Sequence, residues 1–381
     1  MISDLNEEIK LFIKPRSTSN LVQPNKDLYK KILFEDKNIL DTFRVHFSEL
    51  HGTKYCIPVI NGLWALVISI KELKLEGRTE VIMPSLTYRR MADIAAWVGL
   101  TPRFCDVDSK TFSVQQENIK ECINEKTAIV IAPHSIVNTC DVYGIEDLCK
   151  EYNLPLIFDS VESYYADIND KKIGGFGDVE IFSLHASKFI NGFEGGYITT
   201  NNHDIAKKLE IYKEGGLVRN NKIINHGLKL ELPEYHAAFA LSCLSNINEQ
   251  IEHNKNIYFT YKEQISKING LKLIEYSCEE KRTYKNILIE IKDNFPIKRD
   301  QLLNILHSNN IISRPYYYPP LHDVKKEYQV FYNSLPNTEY WKKRLILMPS
   351  GNFVSSKDVI KITDLLVKIY KQYSNEIFKE K

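Results

Sequence analysis

The chain has 381 residues, which is long enough for two domains and a large hydrophobic core. Its 50 basic and 49 acidic residues give a formal net charge of +1, and both signs are mixed along the whole length. This balance offers no electrostatic reason to expect nucleic acid or a membrane surface as a partner. No apolar run approaches membrane-spanning length, so no membrane insertion is expected.

Seven cysteines are scattered along the chain, at positions 56, 105, 122, 140, 149, 243 and 278. No two form a Cys-x-x-Cys pair, and none clusters with histidines at the spacing of metal ligands, so no metal site is expected. The N-terminal stretch MISDLNEEIKLFIKPR is mixed in charge and has no apolar core segment, so no signal peptide is expected. These features predict a reduced, cytoplasmic protein with mostly buried thiols.

From about residue 54 the sequence alternates short apolar runs with amphipathic segments. The predicted strands are YCIPVI, EVIMP, PRFCDV, TAIVIAP and LPLIFD, and the predicted helices are LWALVISIKELKL, residues 89–98, QENIKECI and IEDLCKEY. This alternation is typical of an α/β fold in which helices cover both faces of a mostly parallel sheet. The strands of such a sheet point their carboxyl ends at one crevice, where ligands bind.

The second half of the chain predicts a smaller mixed domain. The segment from Leu232 to about Ile265 is predicted to be one long helix. The stretches KNILIEIKD, KRDQLLNILHSNNI and SSKDVIKITDLLVKIYKQY then supply further strand and helix patterns. The predicted division is a large domain with an N-terminal arm over residues 1–250 and a small C-terminal domain over residues 251–381.

The stretch DVEIFSLHASKFINGFEGGYITTNN, residues 178–202, places a single lysine between two short apolar strands. Ser183 precedes Lys188 by five residues, and the pair Gly195–Gly196 follows it. A lysine held among buried strands loses hydration, so its pKa is expected to fall and its neutral amine can attack a carbonyl. That is the requirement for a Schiff base, and the alternative is an ordinary lysine of a surface loop.

Three further features lie at the ends of predicted strands. Asp159 ends LPLIFD, where its carboxylate could keep a pyridine nitrogen protonated or could cap the next helix. Asn61–Gly62 opens a helix whose free N–H groups suit a phosphate, although Asn-Gly is also a common turn. Tyr88 follows the strand EVIMP, where it could stack on a flat cofactor or pack in the core.

In chain order these features form a set: phosphate turn, aromatic ring, carboxylate, hydroxyl and lysine. The set resembles the DegT/DnrJ/EryC1/StrS family of sugar aminotransferases, which use pyridoxal phosphate on the aspartate-aminotransferase fold (fold type I). The resemblance covers nearly the whole chain, and FSLHASKFINGFEGG and RPYYYPPLHD are its most specific parts. NGLWAL stands where the family has a Gly-Thr phosphate turn, and the family pattern is also followed by VIMPSLTY, GLTPRFCDVDSKTF, FDSVES and LPNTEYWKKRLILMPSG. It implies a large cofactor-binding α/β domain and a smaller C-terminal α/β domain.

The resemblance implies a role for each residue of this set. Lys188 would form the Schiff base with pyridoxal phosphate, and Asp159 would pair with the pyridine nitrogen. Tyr88 would stack on the ring. The groups implied for the phosphate are the Ser183 hydroxyl and the backbone N–H groups of Gly62 and Leu63.

Two residues depart from the family pattern. Glu162 stands where the family usually has glutamine or histidine near the ring hydroxyl, and a carboxylate would repel a phenolate there unless it is protonated or bridged. Lys229 aligns with the asparagine that a neighbouring subunit offers to the phosphate. It would act as a point charge, or else be a solvated surface lysine. A homodimer with shared active sites is therefore expected.

His185, Tyr318 and His322 are the predicted substrate-binding residues, and His185 could instead fill the cleft wall. The resemblance implies transfer of an amino group from an amino acid, with L-glutamate as the expected donor, to a nucleotide-linked keto-deoxyhexose. Two alternatives stay open on the same scaffold. One is a sugar dehydratase, in which histidine replaces the lysine, and the other is a non-catalytic regulatory member.

Overall fold

The computed structural model describes residues 11–12, 14–18, 22–218, 222–223, 226–276 and 281–379, which form a mixed α/β structure with two principal sheets. The strands are β1 (Arg16–Ser17), β2 (Tyr55–Val59), β3 (Glu80–Pro84), β4 (Thr101–Cys105), β5 (Thr127–Pro133), β6 (Leu156–Asp159), β7 (Asp167–Ile168), β8 (Lys171–Lys172), β9 (Val179–Ser183), β10 (Gly196–Thr200), β11 (Leu217–Val218), β12 (Lys222–Ile223), β13 (Leu271–Leu273), β14 (Ile287–Ile291), β15 (Ile311–Ile312), β16 (Arg314–Pro315), β17 (Phe331–Tyr332) and β18 (Leu345–Met348). The helices are α1 (Lys26–Glu35), α2 (Ile39–His51), α3 (Gly62–Leu73), α4 (Met91–Trp97), α5 (Gln116–Lys120), α6 (Val142–Glu151), α7 (His203–Lys213), α8 (Glu234–Leu244), α9 (Ile247–Ile265), α10 (Arg299–Ser308), α11 (Pro336–Trp341) and α12 (Ser356–Lys379).

The larger sheet has eight strands in the order β17-β4-β3-β5-β6-β9-β10-β2. Neighbours from β17 to β9 are parallel, whereas β10 is antiparallel to both β9 and β2. Parallel neighbours need crossover connections, and α4, α5 and α6 lie in the connections between β3 and β6. The predicted α/β fold with a large, mostly parallel sheet is confirmed.

Successive residues of the central strands point into two different hydrophobic cores. In β6, Phe158 belongs to the core that includes residues of α2, α6 and α8, and Ile157 to the core that includes residues of α3, α4 and α7. The alternation follows from the two-residue period of a strand. Because both faces of the sheet are covered, the central strands β3, β5 and β6 are apolar runs whose polar residues come at their ends. The neighbouring strand β9 differs, since it carries the buried Glu180 within the strand.

A second sheet of four antiparallel strands, in the order β13-β14-β18-β16, forms the C-terminal core with α9, α10 and α12. Phe12 of the N-terminal arm is buried in this core, and β1 pairs with β15. In α9, Ile247 packs in the core of the larger sheet and Ile257 in that of the smaller sheet. We propose a domain division near residue 250, in the first turn of this helix.

The segment predicted as one helix over residues 232–265 is two helices, α8 and α9, with Ser245 and Asn246 between them. The Ser245 hydroxyl donates to the Ser242 carbonyl at 3.3 Å, and the Asn246 amide donates to the Gln23 carbonyl at 2.9 Å. Short polar side chains of this kind compete with helical hydrogen bonds, so the prediction of a single helix was wrong. None of the described helices is both long and apolar enough to cross a membrane.

Candidate active site

The carboxyl ends of β6 and β9 and the amino end of α3 meet at one edge of the larger sheet. Asp159 is the last residue of β6 and Ser183 the last of β9, and these strands are adjacent and parallel. Gly62 opens α3 and lies against Ser183, since a Cβ on Gly62 would approach the Ser183 Cβ to 2.8 Å. The sheet topology therefore brings together residues that are far apart in the sequence.

A cradle of backbone N–H groups lies at the start of α3. The Asn61 side chain caps the helix by accepting a hydrogen bond from the Trp64 N–H at 2.9 Å. The N–H groups of Gly62 and Leu63 lie in the first turn, where they have no intrahelical acceptor and favour an anion. Gly196 approaches so closely that a Cβ there would lie 2.5 Å from the Gly62 nitrogen. This contact explains a glycine at position 196, and the cradle has the chemistry of the predicted phosphate site.

Lys188 lies in the turn between β9 and β10, where its backbone N–H donates to the His185 carbonyl at 2.8 Å. Its side chain is largely buried, and Nζ donates to Glu162 Oε1 at 2.6 Å. Burial alone would lower the pKa of Lys188, but the charge and hydrogen bond of Glu162, with smaller contributions from Asp159 and Tyr88, raise it. The expected fall of the Lys188 pKa is therefore wrong for the protein alone, because folding puts a carboxylate within reach of the amine.

Glu162 is shared by two lysines. Its Oε1 pairs with Lys188, and its Oε2 accepts a hydrogen bond from Lys285 Nζ at 3.0 Å. Burial by itself would raise the pKa of Glu162, but the charges of the two ammonium groups lower it to about 2. Lys285 is only 6% exposed, and it lies two residues before the start of β14. Sequence reasoning missed Lys285, because a charged residue before an apolar strand does not reveal what it will face.

Asp159 is a largely buried carboxylate with one hydrogen bond. Its Oδ1 accepts from the Val161 N–H at 3.2 Å, and its other oxygen accepts none from the residues that the structure describes. Burial raises the pKa of Asp159 to about 6, although the Val161 N–H and the charge of Lys188 both act to lower it. A buried carboxylate of this kind is suited to an N–H donor or a cation brought by a ligand.

Two tyrosines lie near the group of Lys188, Glu162 and Asp159. Tyr88 is 44% exposed in the turn before α4, and it is near enough to contribute to the raised pKa of Lys188. Tyr317 is half-buried, and its pKa is raised first by burial and then by the charges of Glu162 and Asp159. Tyr88 thus offers an accessible ring close to the amine, as stacking on a flat ligand requires.

Two of the predicted substrate-binding residues are exposed. His185 Nδ1 lies 2.9 Å from the Ser187 hydroxyl, and its Nε2 lies 3.8 Å from Glu194 Oε1. The Tyr318 ring has the Arg299 guanidinium 4.2 Å from its centroid. Both side chains are accessible to a ligand, and their contacts with substrate stay predictions.

His322 has both ring nitrogens engaged, with Nδ1 2.6 Å from the Ser85 hydroxyl and Nε2 2.8 Å from Glu339 Oε1. His322, Asp323 and Glu339 offer ligand atoms within 4.8 Å of one another. However, the Lys342 ammonium contacts both carboxylates, at 2.7 and 2.5 Å, and supplies a positive charge there. This network connects the segment around His322 to the residue that follows β3. It does not support the predicted contact between His322 and substrate.

Lys229 is highly exposed, with 85% of its side chain open to solvent. Within its own chain its ammonium has an ion partner in Glu231, at 3.8 Å, and its backbone forms an isolated bridge with Glu214. An exposed lysine of this kind is accessible to a neighbouring molecule. Its predicted contact with the phosphate of a partner subunit stays a prediction.

Residues 26–367 match the model of the DegT/DnrJ/EryC1/StrS aminotransferase family. The chain belongs to this family. The match spans every residue of the candidate site, from Gly62 in the cradle to His322 in the C-terminal network. The resemblance predicted from the sequence motifs is confirmed.

Two relatives match most of the chain. The chain is 29% identical over 317 residues to the GDP-perosamine synthase of Vibrio cholerae, covering 82% of this chain and 85% of the relative. It is 28% identical over 303 residues to the dTDP-4-amino-4,6-dideoxy-D-glucose transaminase of Shigella dysenteriae, covering 78% and 82%. The crystal structure of DesI in the presence of its TDP-sugar product superimposes with a TM-score of 0.89, at 21% identity and 99% coverage of both chains. These likenesses confirm the predicted fold type I architecture.

The DegT/DnrJ/EryC1/StrS family uses pyridoxal phosphate, and the residues of this chain fit that cofactor. The close approach of Gly196 and Ser183 to Gly62 leaves a backbone-lined cradle suited to a phosphate. The second oxygen of Asp159, with no donor among the described residues, fits a protonated pyridine nitrogen. The amine of Lys188 fits an aldehyde.

Proposed function

We propose that this protein is a pyridoxal-phosphate-dependent aminotransferase. It moves an amino group from an amino acid, L-glutamate, to a nucleotide-linked keto-deoxyhexose. The observation that carries this proposal is the Lys188 amine, held 2.6 Å from Glu162 at the sheet edge where Asp159 ends its strand. Transamination needs a lysine at this place, whereas the sugar dehydratases of this scaffold have histidine there. A purely regulatory binding protein would have no need of the lysine, aspartate and serine set.

Bound pyridoxal phosphate supplies an electron sink for breaking the bond at the donor Cα. The protein would bind and orient that group through residues already placed for it. The N–H groups of Gly62 and Leu63 and the Ser183 hydroxyl would hold the phosphate. The Asp159 carboxylate would accept the N–H of the pyridine ring and so keep its nitrogen protonated. Tyr88 would cover one face of the ring and exclude water from it.

Lys188 would carry the proton in each half of the reaction. Its amine would take the proton from the donor Cα and deliver it to the C4′ carbon of the cofactor. Glu162, whose Oε1 lies 2.6 Å from Nζ, would hold the amine in position between the two proton transfers. The amino-acid donor and the keto sugar would use the same site in turn, which predicts ping-pong kinetics.

The names of the two relatives support a nucleotide-linked acceptor. Both names specify products of nucleotide-sugar metabolism, one carrying GDP and the other dTDP and an amino-dideoxyhexose. Each relative is covered over more than four fifths of its own length. The names of the two relatives therefore support a nucleotide-linked keto-deoxyhexose as the acceptor.

The proposed function predicts a coloured enzyme with a defined stoichiometry. The protein with pyridoxal phosphate should show a visible absorbance band that L-glutamate bleaches, with one 2-oxoglutarate formed per site. In a panel of keto sugars, nucleotide-linked keto-deoxyhexoses should restore the band and gain one amino group each, ahead of the free sugars. A colourless protein that ignores added cofactor would refute the proposal. Loss of a sugar hydroxyl without amine transfer would favour a dehydratase, and sugar binding without conversion a regulatory protein.

We further propose a homodimer in which Lys229 of one subunit reaches the phosphate in the other. Lys229→Ala should then weaken cofactor binding about tenfold, the size of one charge-assisted hydrogen bond, and leave the dimer intact. Gel filtration with light scattering, paired with a cofactor titration, measures both effects, and Lys229→Arg is the charge-preserving control. A fully active monomer would contradict the shared site. An unchanged affinity in Lys229→Ala would make it an ordinary surface lysine.

The cytoplasm is the proposed location. The six cysteines in the described part of the chain are all buried and free of disulfides. Burial raises the pKa of each of these thiols, that of Cys149 to about 12, so they are poorly reactive. Unpaired thiols in this number are typical of a reducing compartment and support that location.

A further inference from the structure

Glu162 binds one ammonium group on each of its two oxygens. Lys188 Nζ lies 2.6 Å from Oε1, and Lys285 Nζ lies 3.0 Å from Oε2. The Lys285 side chain is buried, so water competes weakly for its contact with Glu162. The Ser350 hydroxyl donates to the Lys285 carbonyl at 2.7 Å and fixes the backbone there. The three side chains are thus largely buried, unlike those of a surface ion pair.

Lys188 must become a neutral amine before it can attack a carbonyl. If Lys188 were the sole partner of Glu162, loss of its proton would leave a buried carboxylate without a cation. An unpaired buried charge is strongly unfavourable. The carboxylate would therefore hold Lys188 as an ammonium group and slow every reaction of its amine.

We propose that Lys285 is a positioning residue for Lys188, because it keeps Glu162 paired with a cation when Lys188 gives up its proton. The inference rests on the proposed function in one respect, namely that Lys188 reacts with a carbonyl. Two ammonium groups on one carboxylate release the first proton more readily than a single ion pair does, and the second proton stays on the ammonium group that is still paired with Glu162. Lys285 is the group that retains this second proton once Lys188 has reacted.

With both lysines charged, the pKa of Lys188 is raised and that of Lys285 is lowered, so the role of Lys285 depends on the loss of the Lys188 charge. Burial lowers the pKa of Lys285, although the charge of Glu162 opposes the effect, and the charge of Lys188 lowers it further. Asp159 and Tyr88 also raise the pKa of Lys188, and Arg314 lowers that of Lys285. Further titratable groups that feel the charge of Glu162 are Tyr164, Tyr276, Tyr316 and Tyr317. All of these groups remain in a Lys285 variant, so a changed titration of Lys188 reports on Lys285 itself.

The test measures the neutral amine of Lys188 in the full chain without cofactor. Formaldehyde with cyanoborohydride methylates neutral amines, and mass spectrometry of the Lys188 peptide gives the rate at each pH. In Lys285→Met we expect the midpoint of the Lys188 rate to rise by about one pH unit or more. At a fixed pH below the midpoint, methylation should then be about tenfold slower or more. The visible band formed with added pyridoxal phosphate should appear more slowly by the same factor.

Two further variants test the direction of the shift in the midpoint of Lys188 methylation. Lys285→Arg keeps a cation on Glu162 and should restore a midpoint close to that of the native chain. Glu162→Gln removes the carboxylate and should move the midpoint below the native value. An unchanged midpoint in Lys285→Met overturns the proposal, and so does an equal rise in Lys285→Arg. A lower melting temperature with an unchanged midpoint assigns Lys285 a purely structural role and also overturns it.

Failure of the proposed function would be seen separately. A native chain in which Lys188 is methylated normally but forms no adduct with pyridoxal phosphate would refute the aminotransferase. The methylation comparison between native chain and Lys285→Met would still decide the role of Lys285, because it needs no cofactor.

Discussion

Replacing Lys188 with alanine is expected to lower transamination by about 10⁴-fold or more and to leave the chain folded. The variant loses both the amine that binds the cofactor aldehyde and the group that carries the proton. Glu162 keeps Lys285 as a partner at 3.0 Å, so no buried charge is stranded. The measurements are turnover with glutamate and a nucleotide-linked keto sugar, and covalent attachment of the cofactor after borohydride reduction. The native protein should carry the adduct on the Lys188 peptide, and the variant should carry none.

Lys188→Arg is the matched control. It keeps a cation beside Glu162, but a guanidinium group does not lose its proton in proteins, so it cannot attack an aldehyde. This variant should be as inactive as Lys188→Ala. If it retained activity, charge alone would explain the role of position 188. An alanine variant within about tenfold of native turnover would contradict the assignment to transamination and favour chemistry that does not use the lysine.

The main sheet could be predicted from the sequence because its central strands are buried on both faces. Such strands are continuous apolar runs, as in TAIVIAP of β5, and the amphipathic segments between them mark the crossover helices. The two-residue strand β17 has no such signal, since its pairing with β4 depends on how a distant segment folds back. The break between α8 and α9 was missed because it rests on the side-chain contact of Asn246 with the Gln23 carbonyl.

The site could be predicted in part, because Asp159, Ser183 and Gly62 all lie at ends of elements that share one sheet edge. Lys285 could not be predicted. It lies just before β14 of the smaller sheet and meets Glu162, which follows β6 of the larger sheet, only in the folded chain. The same limit explains why the shift of the Lys188 pKa was predicted in the wrong direction. The local pattern correctly predicted burial, but the charge that outweighs burial is fixed by tertiary structure.

Asp159→Asn should separate the function of this carboxylate from its effect on stability. We expect turnover to fall by about 10²-fold or more, because the variant removes the charge that would keep the ring nitrogen protonated. The asparagine oxygen can still accept the hydrogen bond from the Val161 N–H, so local structure should persist. In the cofactor-free chain, by contrast, we expect the substitution to increase stability. The variant should unfold with a free energy about 2 kcal/mol higher than native at pH 7 to 8, allowing for partial exposure of the carboxyl group.

The sign follows from the raised pKa of Asp159, about 6 in the folded chain against an ordinary value of 3.8. Between these values the folded chain holds a proton that the unfolded chain has lost, so the native free energy of unfolding falls as the pH rises from about 4 to about 6. Urea unfolding of the cofactor-free native chain and Asp159→Asn, across pH 4 to 8, should show a difference that grows through this window and then stays constant. Asp159→Glu, which keeps a carboxylate, is the control and should show no such gain. A variant less stable than native at pH 8, or a native cofactor affinity that does not weaken below pH 6, would contradict a buried carboxylate awaiting a cationic ligand.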